Sequence, residues 1–101
     1  MKNPDEKLDE LIEEAIVDCY DEYECLSGFY NCLEQEVQYP FKATVVGEEV
    51  EVTGVEMEDE RIDAICKRKG KKYTVDLLNI HYQKGSVVGS EWIEAYHKWS
   101  A

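Results

Sequence analysis

Residues 5–24 read DEKLDELIEEAIVDCYDEYE, ten carboxylates and one lysine laid over an apolar stripe. The stripe is Leu8, Leu11, Ile12, Ala15, Ile16, Cys19, Tyr23 and Leu26, recurring every three or four residues as the buried edge of an α-helix does. Just upstream, Asn3-Pro4-Asp5-Glu6 supplies a helix start. Asn3 can cap, Pro4 suits the first helical position, and Asp5 and Glu6 face the positive end of the dipole, with Glu6 placed to close a capping box. The apolar rhythm resumes at Phe29, Tyr30, Leu33 and Val37 after an interruption at Ser27-Gly28. A glycine costs about 1 kcal/mol inside a helix, so the break is expected there, giving two packed helices over 4–26 and 28–37. Tyr39-Pro40-Phe41 closes the helical region, because the residue before a proline is pushed out of the helical conformation.

Beyond Phe41 the period changes to two. Residues 42–46, then Val50 and Val52, then Val55 and Met57 read as strands, and the phase slip across Gly54 predicts a bulge. Ile62, Ala64 and Cys66 alternate again, the basic tip at 67–72 turns a hairpin around Gly70, and Tyr73, Val75 and Leu77 lead the return strand. Lysines at such a tip commonly protect a sheet edge from pairing. After a loop over 83–89, Ser90 caps a last helix that offers Trp92, Ala95, Tyr96 and Trp99 as an aromatic face. The expected class is α+β: N-terminal helices, a small bent antiparallel sheet or partly open SH3-like barrel, and a C-terminal helix, in one domain over 1–101.

Twenty-three Asp and Glu against 11 Lys and Arg give a formal net charge of −12. Such a balance repels nucleic acid and anionic membrane, and attracts metal ions and basic partners. The N-terminal residues run straight into acidic sequence and no apolar run approaches ~18 residues, so a soluble, cytoplasmic protein is expected; it is expected to be a monomer or only weakly associating. Cys19, Cys25, Cys32 and Cys66 lack CxxC spacing and the density of a secreted scaffold, and are expected as reduced thiols. Neither His81 nor His97 has a partner at zinc spacing. No phosphate loop, nucleotide fingerprint or nucleophile elbow is present, and the chain is expected to be non-enzymatic.

Two acidic clusters stand out as candidate sites. On a continuous first helix, Glu14, Asp18 and Glu22 would be successive i, i+4 steps and Asp21 would lie i+3 from Asp18, with Cβ atoms ~5 to 6 Å apart. Like charges so close destabilise a helix unless a cation relieves them. The second cluster, Glu56, Glu58, Asp59 and Glu60, falls on a strand-to-strand turn whose backbone carbonyls add further oxygen donors. An EF-hand loop is absent from the sequence. Chemistry alone leaves two readings of these clusters, a solvated acidic surface or a cation site.

Three segments together resemble a known family: Val17 to Glu24 followed by Gly28-Phe29-Tyr30 and Leu33-Glu34; Tyr39 to Ala43 with Val46 to Val52; and the Trp92 to Trp99 helix. The chain is similar there to the small acidic calcium-binding proteins of the CcbP type. The resemblance implies calcium (Ca2+) binding through surface carboxylates, as a buffer or calcium-dependent regulator. It carries over Asp18, Asp21, Glu22 and Glu24, which fall on the family's acidic motif. With few ligands pre-organised, the expected affinity is ~10⁻⁵ to 10⁻³ M. The alternative is an acidic interaction module that binds a basic protein partner without a specific metal.

Overall fold

The computed structural model describes residues 4–100, so the Asn3 cap lies outside the described residues. Two helices come first, α1 (Pro4–Ala15) and α2 (Glu22–Glu36). Four strands follow, β1 (Phe41–Val45), β2 (Glu48–Met57), β3 (Ile62–Arg68) and β4 (Lys71–Asp76). Two 3₁₀ turns, Leu77–Asn79 and Lys84–Ser86, then lead into α3 (Ser90–Ser100).

The expected boundary between the first two helices is corrected. The chain leaves the helix after Ala15 and re-enters it at Glu22, while α2 runs unbroken through Ser27-Gly28. Two local features cause the early break. Asp18 takes a left-handed conformation at φ 60°, which aspartate tolerates better than most residues. Asp21 then caps α2, its Oδ1 accepting from the Glu24 backbone N–H at 2.8 Å, while Glu24 Oε2 accepts from the Tyr20 N–H at 2.7 Å. Gly28 is needed for packing instead: a Cβ there would collide with the carbonyl of Ala15, so its absence lets the end of α1 lie directly on α2. The cysteine expectation is also corrected. Cys19 and Cys25 are joined as a disulfide across the α2 cap, while Cys32 and Cys66 are free.

The strands form one antiparallel sheet in the order β1-β2-β3-β4, with every connection a hairpin. Val46-Gly47 and Lys69-Gly70 make the two tight turns, all four residues having positive φ, as the twist of a two-residue hairpin requires. The expected bulge is present, with the β2–β3 register shifting between Val52 and Gly54. Leu77, expected on the return strand, opens the 3₁₀ turn that Asp76 caps by accepting from the Leu78 N–H at 3.0 Å. This turn carries the chain back to the free edge of β1, where Thr44 and His81 exchange two backbone hydrogen bonds of 2.7 and 2.9 Å. The sheet is thus open but bent, with its first strand partly covered.

One apolar cluster joins sheet and helices. Phe29 and Leu33 of α2, Val52, Ile62, Ala64 and Cys66 of the sheet, and Ile93, Ala95 and Tyr96 of α3 are all buried, and each large side chain contributes about 1.5–3 kcal/mol of burial. Phe29 meets Tyr96 edge-on at 5.8 Å and lies 4.9 Å from Trp99. The Tyr96 hydroxyl accepts from the Ile62 N–H at 3.1 Å, pinning the start of β3 to α3. Gly89, at φ 84°, lets the turn before α3 touch the backbone at Glu36 and Val37, where any Cβ would collide. Lys98 reaches back to Asp9 at 2.7 Å and ties α3 to α1.

Candidate metal centre

The break at residues 16–21 moves the acidic side chains off a helix face and onto a loop and a helix start. Across from them stands the β2–β3 turn, closed by a hydrogen bond from the Glu58 N–H to the Arg61 carbonyl at 2.8 Å. Between the two lies a groove of about 280 Å³ lined by Glu22, Tyr23, Leu26, Asp59, Glu60 and Trp99. It continues into a wider depression bounded by Asp21, Glu22, Glu60 and Trp99, with Cys19 and Cys25 on its wall. Four carboxylates from segments far apart in sequence therefore share one cleft. Trp99, held against Phe29, lines the cleft with them.

Among the described residues, no lysine, arginine or histidine pairs with Asp21, Glu22, Asp59 or Glu60. Arg61 is adjacent in sequence, but its guanidinium is spent on the buried Asp63 at 2.8 Å, and that hydrogen bond raises the Arg61 pKa. The concentration of unpaired negative charge in a concave site focuses potential onto a cation.

The other expected ligands are placed elsewhere. Glu14 lies in the last turn of α1 and acts on Cys32, whose thiol pKa is raised first by burial and then by the Glu14 and Glu36 charges. Glu56 lies on β2, its carboxylate helping to raise the Tyr30 pKa after burial and Glu34. Asp18 is exposed on the loop and outside the groove lining, and Glu24 is engaged in the cap. Glu58 lies with Asp59, Glu60 and Arg61 on a neighbouring surface depression. Sequence reasoning named all four groove acids but assigned them to two separate sites. It missed Trp99 as a wall of the cleft. The Asp21-x-x-Glu24 spacing, the signature of a capping box, was the signal that a second helix starts there.

The donor set fits a hard cation. Every groove donor is a carboxylate oxygen, the ligand type that calcium takes in sets of about six to eight at 2.3–2.6 Å. Among the described residues, no three such side chains already converge as a closed site, so exposed carboxylates on both walls must turn inward to coordinate. Zinc is disfavoured, because the nearby cysteines are bonded to each other and His97 sits against the Leu78 carbonyl at 3.4 Å.

Comparison with known proteins gives the same direction. The chain superposes on the crystal structure of Anabaena CcbP with a TM-score of 0.81 and 27% identity, covering 100% of this chain and 94% of that one. A second structure, a calcium-binding protein in its calcium-binding form, matches with a TM-score of 0.77 and 24% identity over 99% and 95% of the two chains, a likeness of fold. No curated protein matches in sequence. Residues 9–100 match the CcbP family, described as calcium binding, and with nearly its whole length matched the chain belongs to that family of calcium-binding proteins.

Proposed function

We propose that this chain binds calcium in the groove between the start of α2 and the β2–β3 turn, with Asp21, Glu22, Asp59 and Glu60 as the side chains that close on the ion. The observation that carries this reading is the meeting, in a cleft that Trp99 also lines, of two acidic segments that pair with no cation among the described residues. Bound calcium supplies positive charge that relieves their mutual repulsion. The chain's own part is to place one acidic pair on a capped helix start and the other on a hairpin turn, so that binding draws the two together. Nothing in this chemistry calls for a reaction step, and the protein acts as a buffer or calcium-dependent regulator.

Calcium titration by calorimetry in ~0.15 M salt, where surface charge is screened beyond about 8 Å, tests the reading. Saturable binding should survive millimolar magnesium. Glu22→Gln with Glu60→Gln should weaken it by about tenfold or more through loss of two charged donors, and should raise the unfolding temperature of the calcium-free protein by removing repulsion. Unchanged affinity in the double variant would move the site elsewhere, and heat abolished by salt or magnesium alone would leave only charge screening. A basic partner is a second reading, favoured by the exposed Val17, Tyr20 and Tyr23 beside the carboxylates. Such a mixed apolar and acidic rim suits a basic amphipathic segment.

A further inference from the structure

We propose that the Cys19–Cys25 disulfide is a redox switch on calcium binding, tightening it when closed and weakening it when a dithiol reductant opens it. The inference rests on the calcium reading above. The bridge spans six positions and encloses Tyr20 to Glu24, a segment that carries Asp21, Glu22 and Glu24. Both cysteines line the groove beside Asp21, Glu22 and Glu60, and both are half-buried, within reach of an attacking thiolate.

The bridge matters because of what else holds this turn. Its two side-chain hydrogen bonds, Glu24 N–H to Asp21 and Tyr20 N–H to Glu24, use acidic side chains of the binding segment itself. An ion that recruits Asp21 competes with the cap. Apolar anchoring is also thin, with Val17, Tyr20 and Tyr23 all exposed. A covalent link between Cys19 and Cys25 keeps the backbone of the turn in place while its carboxylates change partners. Without it, the turn must be ordered at the moment of binding, and affinity falls.

Opening the bridge is a balanced exchange. A thiolate of the dithiol attacks one bridge sulfur and displaces the other, and the second thiol of the reductant then resolves the mixed disulfide. Two electrons pass to the bridge, two protons end on Cys19 and Cys25, and the reductant leaves as its own disulfide. Linkage makes the effect reciprocal: calcium must make the bridge harder to reduce by the factor by which the bridge tightens calcium.

The test uses the full chain, air-oxidised and then reduced with dithiothreitol. Alkylation and mass measurement should find two free thiols before reduction and four after. Calorimetric titration with calcium should show roughly tenfold weaker binding in the reduced form. In dithiol buffers of graded ratio, the midpoint for opening the bridge should shift by that same factor when calcium is present. Cys19→Ser with Cys25→Ser should bind like the reduced protein and ignore the reductant, circular dichroism reporting on its fold, while Cys32→Ser should keep the full response. Four free thiols in the oxidised sample, equal affinities in the two forms, or a bridge midpoint indifferent to calcium would each overturn the switch. Equal, saturable binding in both forms removes the switch and leaves calcium binding intact; absence of binding in both removes the two together.

Discussion

Gly28 shows how one residue can be read in two opposite senses. Helix propensity makes it a weak point, and Gly28→Ala on an exposed helix would stabilise by about 1 kcal/mol. In the folded protein the same methyl group would meet the Ala15 carbonyl, which belongs to the backbone end of α1 and cannot turn aside. Gly28→Ala is therefore expected to destabilise by about 1–3 kcal/mol, the usual cost of overpacking, as measured by urea unfolding. A stabilised variant would mean that α1 does not rest on α2 at this point. The contact is absent from any local pattern, since Ala15 and Gly28 look like unrelated members of two helical stretches.

At the scale of elements, the groove exists because three of them are held in register. The α2 start is fixed by its cap and disulfide, and a ring of this size contributes roughly 2 kcal/mol in the chain-entropy account. The β2–β3 turn is fixed from behind by the Tyr96 hydroxyl, which accepts the Ile62 N–H at 3.1 Å. Tyr96→Phe leaves that buried N–H without its acceptor and should cost about 1–3 kcal/mol. Because Ile62 follows directly on Asp59-Glu60-Arg61, the same variant should also weaken calcium binding, a joint loss that unfolding and titration on one sample will report. A stability loss with unchanged calcium affinity would show that the turn is positioned independently of α3 or that the ion is held away from the proposed turn residues.

For the molecule as a whole, alkaline pH probes how the aromatic residues are packed. Burial, with smaller contributions from Glu94 and Glu91, raises the Tyr82 pKa from 10.0 to about 12. Burial is also the leading cause of the upward shifts of Tyr30, Tyr39 and Tyr96. A folded-state pKa above the unfolded value gives a contribution that is complete below pH 10.0 and is lost as pH rises toward about 12, because the unfolded chain ionises first. The urea midpoint should accordingly fall across that window. Tyr82→Phe, whose ring can still pack edge-on against Phe41 at 6.0 Å, should make the fall shallower, and an unaltered slope would place the Tyr82 hydroxyl in water.

Much of this protein was legible in its residues alone. The α+β class, the Gly54 bulge, the hairpin at Gly70 and the aromatic face of the last helix all follow from periodicity and turn chemistry, which act over a few residues. The acidic segments at 18–24 and 56–60 were equally plain as charge without counter-charge. What only the tertiary structure decided is where those charges meet. The first helix stops at Ala15 through Asp18 and the Asp21 cap, which act locally, but how the two helices then pack depends on the close approach of Ala15 to Gly28, 13 positions along the chain. The pairing of Cys19 with Cys25 depends likewise on that turn. The cleft itself is lined by Trp99 of α3 together with acids of two distant segments, a long-range packing result that no local pattern encodes.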